Sequence, residues 1–403
     1  MFDKTRALAR SNPGLGTLLL AQCPADFADW LDFVAIGTVL AYRWQAPPVA
    51  FAWFAVALGL PYLTIGVLAG AVVDRMDLRR VMILGNLGRA LGSAALILAP
   101  DWPALVIVVA LRASADSFYS PAKQASLQAI VAGRDLLAAN GLSFAINQGA
   151  KIVAPALGGA LIAVLAPQDV FAVNAGVSVL AAALLLPMRP LPRRATGGTS
   201  LWRDIAESLR LLRTTPVLRA AIGMMAAGIF AIFLYDTLFA PTLQALGASP
   251  MTFGLCMAAV GAGGVLGGAT VGKARGTSGS FSMIAAAAGL SGLVTIGVGC
   301  LQITGMFPPA LLLIGLFGLL GLLSARSVVP TRALLQDHTP PGGMGRVAAL
   351  SEAANTLALL VAPFLGAALA ASLGYGAAFV AGGVLMLGVA LIASRLAAQF
   401  SDN

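Results

Sequence analysis

Long, mostly apolar stretches of roughly 20 residues alternate along this chain with short breaks marked by Pro, Gly, Arg or Asp. In helical form, a stretch of that length crosses the hydrocarbon of a bilayer. The pattern predicts about twelve such helices, near 15–42, 49–71, 80–99, 103–124, 138–165, 169–188, 217–241, 250–272, 281–304, 308–328, 346–372 and 375–397. The runs are rich in Ala, Leu and Gly and lack the strict alternation of barrel strands. Backbone groups in lipid must be satisfied within the spanning element, which leaves helices. The fold class expected is an all-α polytopic membrane protein. Lys4, Arg6 and Arg10 followed by Leu18–Cys23 resemble a signal peptide with a lipoprotein box. Gln22 fits that box poorly and the apolar pattern runs on through Tyr42, so a first spanning helix is expected instead.

Composition strengthens the membrane reading. Of 403 residues, 59% are hydrophobic and 10% charged, with a mean hydropathy of +0.90. A soluble domain carries about 25% charged residues. The net charge of +9 would suggest nucleic acid in a soluble protein. Here the basic residues fall in short loops, where a cytoplasmic excess of Lys and Arg explains them. Of the 25 Lys and Arg, only Arg43 is assigned to an outward loop. Arg75, Arg79, Arg80, Arg134, Lys273, Arg275 and Arg332 follow even-numbered helices. Both termini are then cytoplasmic, in a bacterial-type inner membrane. No nucleic-acid partner is expected, and a monomer is.

The stretch from Arg189 to Thr215 is long and polar, with Pro190, Pro192, the Gly197-Gly198 pair and, counting Arg189 itself, six arginines. It divides the chain into an N-terminal six-helix bundle (1–188), a basic cytoplasmic linker (189–216) and a C-terminal six-helix bundle (217–403). The halves share blocks in register. Leu142-Ser143-Phe144-Ala145-Ile146-Asn147 matches Leu350-Ser351-Glu352-Ala353-Ala354-Asn355, and Ala154-Pro155-Ala156-Leu157-Gly158 matches Ala362-Pro363-Phe364-Leu365-Gly366. Helices 5 and 11 are therefore equivalent members of two pseudo-symmetric repeats. Repeated halves mark secondary transporters, with the substrate site near the membrane midplane.

After helix 2 the chain runs Gly66-Val67-Leu68-Ala69-Gly70-Ala71-Val72-Val73-Asp74-Arg75-Met76-Asp77-Leu78-Arg79-Arg80. This resembles the major facilitator signature between helices 2 and 3: a Gly, then Asp-Arg, then a basic pair. The resemblance implies that Gly70 allows close helix approach. It also implies that Asp74, Arg75, Arg79 and Arg80 form a cytoplasmic charge clasp that opens and closes. Gly268-Ala269-Thr270-Val271-Gly272-Lys273 is a decayed second copy that keeps the base and loses the acid. Tyr119-Ser120-Pro121-Ala122-Lys123 and Leu136-Leu137-Ala138-Ala139-Asn140 resemble the helix 4–5 region of the drug:proton antiporter branch that holds macrolide-efflux and enterobactin-exporter proteins. Lysophospholipid transporters share a similar Ser-Pro-Ala-Lys. Pro155 with Gly158 and Gly159 resembles the antiporter motif of helix 5, with Ala154 where that motif prefers Gly.

Ionisable residues inside spanning helices are costly and are candidates for function. Asp26, Asp29 and Asp32 in helix 1 fall on a stripe roughly 120° wide. Three carboxylates cannot face lipid, so a watered cavity or basic partners must meet them. Such crowding suits proton uptake and release, although one acid could instead be structural, paired with a base of helix 4. Family members carry an Asp at the position of Asp29, which makes it the first candidate. Arg112 and Asp116 share a face of helix 4. Arg112 resembles the family's helix 4 arginine linked to proton coupling, while an ion pair with Asp116 within the helix is the plainer alternative. In helix 5, Gln148 and Lys151 precede Pro155. Lys151 is a counter-ion for the helix 1 acids, a contact for an anionic substrate group, or a lysine snorkelling to the interface. Asp236, late in helix 7, is a cavity acid or an outer gate. Glu352, near the cytoplasmic end of helix 11, belongs to a gate or to a salt bridge with Arg346 or Arg332, and Pro363 in the matched block is a further gate candidate. Arg89 and Arg326 read as structural anchors, and the Gly261–Gly268 run in helix 8 as close packing between helices.

The function expected is a proton-coupled antiporter or exporter of an amphipathic small molecule (a drug, macrolide or siderophore), with a lysophospholipid flippase as the alternative. Its partners are then that substrate, protons and the bilayer, and its driving force is the proton gradient without a cofactor. Cys23, Cys256, Cys300 and His338 show no metal-ligand spacing. A membrane-embedded enzyme lacks support, since there is no HExxH or GxSxG. A non-transporting sensor would have no need to bury carboxylates.

Overall fold

The computed structural model describes residues 8, 11–73, 76–131, 133–190, 215–271, 276–339 and 344–400, with the side chains of 66–73, 344–346, 348–349 and 352, among others, left out. The linker 189–216 and the motif residues Asp74 and Arg75 lie wholly or mostly outside them. Among the described residues there are twelve long helices and no strand. They are α1 (Leu15–Thr38), α2 (Pro48–Val73), α3 (Leu78–Leu96), α4 (Trp102–Ile130), α5 (Leu136–Val164) and α6 (Pro167–Leu184). Then follow α7 (Pro216–Ala245), α8 (Pro250–Thr270), α9 (Gly276–Ile303), α10 (Ala310–Asp337), α11 (Met344–Leu373) and α12 (Tyr375–Gln399). α1 ends in a π-helical turn, Val39–Arg43, and α7 is interrupted by a 3-10 turn, Asp236–Leu238.

Seven of these helices are long and apolar enough to cross a membrane by length and composition alone. Six of the seven begin at Pro216 or later. The earlier helices carry the Asp, Arg and Lys residues that lower their hydropathy, which is the price of holding a polar site. Local signals set several starts. Asp77 caps α3 by accepting from Arg79 N at 3.1 Å, Asp101 caps α4 through Ala104 N at 2.9 Å, and Ser249 caps α8 through Thr252 N at 3.2 Å.

The chain forms two compact units: 1–46 with 56–197, and 47–55 with 198–403. In the first, α1 packs on α5 and α6, and α3 packs on α4 and α6. In the second, α7 packs on α11 and α12, and α9 packs on α10 and α12. These are the same pairings shifted by six helices. The matching sequence blocks have matching jobs. Gly158 of α5 lies against α1, where an added Cβ would sit 3.0 Å from Leu31 Cδ1. Gly366 of α11 lies against α7, where a Cβ would collide with the Leu234 carbonyl. Pro155, Gly159 and Pro363 are buried in the same segments.

The helix 8 glycines divide by neighbour. Gly263 and Gly267 abut the α10 backbone at Gly318 and Leu322, whereas Gly268 has nothing within 4 Å of its would-be Cβ. Gly263→Ala is therefore expected to lower the thermal midpoint in detergent by several degrees. Gly268→Ala should hold or raise it, since Ala favours a helix by about 1 kcal/mol over Gly. Thermal size-exclusion profiles of the two variants check this, and equal losses would contradict the packing.

Candidate functional site

Helix α3 makes the site possible. Gly88 and Gly92, one GxxxG interval apart, let α4 come close. A Cβ on Gly88 would sit 2.7 Å from Ala115 Cβ, and one on Gly92 would sit 2.8 Å from Arg112 Cβ. Between these glycines, Arg89 is driven into the helix bundle and is only 1% exposed. A buried guanidinium must be surrounded by carboxylates and carbonyls to persist.

That demand is met from three helices. Arg89 pairs with Asp29 of α1 and, through Nε at 3.1 Å, with Asp116 of α4. It also donates to Asn86 Oδ1 at 3.2 Å and to the Ala25 carbonyl at 3.3 Å, and its guanidinium lies 5.0 Å from the Tyr119 ring centre. Arg112 of α4 reaches α1 twice, to Asp29 Oδ1 at 3.1 Å and to Asp32 Oδ2 at 2.8 Å. Asp29 thus bridges both arginines. Asp32 also accepts from Ser93 Oγ at 2.9 Å, which in turn accepts from Asn174 Nδ2 at 3.3 Å. Tyr62 of α2 donates to the second oxygen of Asp116.

A second cluster lies one turn earlier on α1. Lys123 Nζ stands 3.6 Å from Asp26 Oδ1 and 5.8 Å from the Tyr119 ring centre. Gln22 donates to Asp26 Oδ2 at 2.7 Å and to the Ser143 carbonyl at 2.9 Å, and it accepts from Ser143 Oγ at 2.8 Å. This clasp ties α1 to α5.

The three helix 1 acids differ in access. The Asp26 and Asp32 side chains are 4% and 1% exposed, while Asp29 keeps 35%. Asp29 is the carboxylate that both touches two arginines and can meet an incoming proton or ligand. Of the two readings of Arg112 and Asp116, the contacts across helices are the ones seen: Arg112 pairs with Asp29 and Asp32, and Asp116 with Arg89. Lys151 lies 4.7 Å from the Trp30 ring centre, half-buried beside the helix 1 stripe, and Gln148 is half-buried one turn before it. Asp236 sits in the 3-10 turn that breaks α7, half-buried, next to the aromatic group of Tyr235, Phe239, Phe317 and Phe379.

The described arginines of the α2–α3 connection and the start of α3 do local work. Arg79 donates to the Leu185 and Leu186 carbonyls at the end of α6, and Arg80 stands 3.9 Å from Asp77. The side chain of Glu352 and the surroundings of Gly70 lie outside the described residues. Sequence reasoning passed over Arg89, Tyr62, Lys123, Ser93 and Asn174 as site residues. For Arg89 a signal existed, because an arginine inside a spanning helix is a candidate for function. Tyr62 and Asn174 gave none, since their partners lie on helices far away in sequence.

Twelve long helices among the described residues, in two units with the same helix pairings, one of them holding a charge network, fit a membrane transporter. The chain belongs to the major facilitator superfamily, whose family model matches residues 18–318. It is 30% identical to the uncharacterized MFS-type transporter YfiS of Bacillus subtilis (strain 168), over 96% of this chain and 94% of the relative. It is 28% identical to the multidrug efflux pump Tap of Mycolicibacterium fortuitum, over 81% and 84% of the two chains. It is 26% identical to macrolide efflux protein A of Streptococcus pyogenes, over 83% and 84%. These relatives fit the drug:proton antiporter branch. Among solved structures, a POT family transporter in complex with 5-aminolevulinic acid matches with a TM-score of 0.75 at 13% identity, over 97% of both chains. A bacterial homolog of the human lysosomal transporter Spinster matches with a TM-score of 0.70 at 14% identity, over 97% and 98%. At those identities what is shared is the fold. The chain is a transporter and not an enzyme.

Proposed function

We propose that the protein is a proton-coupled exporter of amphipathic small molecules, working by alternating access, with Asp29 as its principal proton-carrying group. The observation that carries this reading is the placement of Asp29: a partly exposed carboxylate held between Arg89 and Arg112 inside an otherwise buried network. Four carboxylates (Asp26, Asp29, Asp32 and Asp116) share three bases (Arg89, Arg112 and Lys123) through direct pairs. Neutralising one acid with a proton therefore redistributes the arginines instead of leaving a bare charge. A ligand or proton shifts a two-state equilibrium only by its differential affinity for the two states. An acid whose partners can rearrange supplies that difference. The names of the efflux relatives support an amphipathic cargo.

The same reading makes 1–188 and 217–403 the two six-helix halves, with 189–216 as a cytoplasmic linker and both termini cytoplasmic, in a bacterial-type inner membrane. The working unit is a monomer. Lys151 and Asp236 are the next residues to test for substrate contact.

Everted membrane vesicles with an acid interior test this. Vesicles containing the protein are expected to accumulate ethidium several-fold over vesicles lacking it, and to lose that accumulation when the pH gradient is collapsed. No gradient-dependent movement of ethidium, rhodamine 6G or erythromycin would remove the exporter reading. A lysophospholipid would then be the next cargo to assay.

A further inference from the structure

We infer that Tyr62 is a positioning residue, which holds Asp116 in place and lets go of it when Asp29 is neutralised. The inference rests on the proton-carrying role of Asp29 proposed above.

One path of direct contacts runs across the first unit. Tyr62 (α2) donates to Asp116 (α4), Asp116 meets Arg89 (α3), and Arg89 meets Asp29 (α1). Asp29 meets Arg112 (α4), Arg112 meets Asp32 (α1), and Asp32 accepts from Ser93 (α3), which accepts from Asn174 (α6). The Asn174 end is sealed, at 0% exposure. The Tyr62 end is open, at 42%. A phenol on this apolar helix has little reason to turn inward except for the carboxylate it meets. The residue before it, Pro61, lies within α2.

Asp116 is therefore shared between a guanidinium and a phenol. Arg89 is itself shared between Asp116 and Asp29. While Asp29 is charged, Arg89 divides its donors, and one oxygen of Asp116 is left to Tyr62. When Asp29 takes up a proton, Arg89 keeps Asp116 as its charged partner. A guanidinium with a single carboxylate prefers to hold both of its oxygens. Tyr62 is then displaced from Oδ2, and its hydroxyl turns toward the exposed side of α2. The other charged or titratable groups around Asp116 are Asp26 of α1 and Tyr119 and Lys123 of α4, with Arg112 one turn back on the same helix. Lys123 is engaged with Asp26 and lies over the Tyr119 ring, whose face also meets Arg89, so the direct contacts at Asp116 are those of Arg89 and Tyr62.

Infrared difference spectroscopy of the reconstituted protein, with no substrate present, reads this directly. The bands lost in Asp116→Asn belong to the Asp116 carboxyl group. In Tyr62→Phe they are expected to shift, because the hydroxyl donor is gone. In Asp29→Asn, which keeps the neutral form in place, they are expected to shift as well, and adding Tyr62→Phe to Asp29→Asn should move them no further, because the phenol has already left. Asp116 bands that stay at native frequencies in Asp29→Asn would overturn the inference, as would no change in Tyr62→Phe. If Asp116→Asn does not fold, the spectra of Asp29→Asn with and without Tyr62→Phe still decide it, since the carboxyl bands of the two must coincide. The measurement involves no transport, so failure of the export reading leaves its outcome distinct.

Discussion

Arg89→Ala is expected to be the most damaging single substitution in the first unit, costing about 3–5 kcal/mol of stability. The reason is the company Arg89 keeps. It is almost fully buried and serves two carboxylates, a carbonyl, an amide and an aromatic ring. Removing it leaves Asp116 with the Tyr62 hydroxyl as its close donor and Asp29 with Arg112 alone. A buried charge stripped of its partner costs far more than the pair contributed. The loss therefore measures the abandoned acids, and it should be partly reversible. Arg89→Ala combined with Asp116→Asn is expected to recover a clear part of the stability, because the orphaned charge is gone. Thermal unfolding in detergent checks both. A double variant as unstable as the sum of the two single variants would contradict this account of the network.

Asp29→Asn is expected to produce the largest functional effect while leaving the protein folded. Asn keeps the shape and one acceptor oxygen for Arg89 and Arg112 but cannot take up and release a proton. Each pH unit across the membrane is worth 1.36 kcal/mol per proton, a factor of ten in concentration. A one-proton exchanger under a two-unit gradient can therefore build up to about a 100-fold substrate gradient. Asp29→Asn is expected to reduce that to simple equilibration, while exchange of labelled for unlabelled ethidium across the vesicle membrane persists. Asp32→Asn should act differently. Asp32 is sealed at 1% exposure and held by Arg112 and Ser93, so its loss should be felt in stability before coupling. A variant that abolished exchange and accumulation together would make Asp29 a structural residue.

Most of the fold is legible in the sequence because lipid imposes a simple rule: length and apolarity fix a spanning helix. The repeat blocks at 142–158 and 350–366 identify α5 and α11 as counterparts, and each places a glycine against the first helix of its unit. Element ends are less legible. α4 runs on to Ile130 and α10 to Asp337, beyond the apolar stretches, and Leu127, Leu334 and Leu335 of those extensions are buried in apolar clusters. The break in α7 at Asp236–Leu238 lies one turn before Pro241, which cannot donate to the Thr237 carbonyl and crowds it, a signal the apolar pattern overrides when the span is read by length alone.

The site is half legible. Buried acids on one face of α1 announce themselves, since nothing else explains their cost in a membrane. Which base each acid meets is set by helix packing, and spacing along one helix misleads. Arg112 and Asp116 look like a pair at four residues apart, yet each binds across to another helix. Arg89 looks like an anchor from its own helix, which offers it only Asn86. Its role comes from Gly88 and Gly92, whose missing side chains let α4 bring Asp116 within reach.

Proton release on ligand binding tests the central claim most directly. Purified protein in weakly buffered detergent solution, with a pH indicator dye, is titrated with ethidium near neutral pH. The account predicts that native protein releases protons in proportion to the ethidium bound, and that Asp29→Asn binds ethidium without releasing any. Equal proton release from both proteins would show that the coupling proton resides elsewhere, and would contradict the assignment of Asp29.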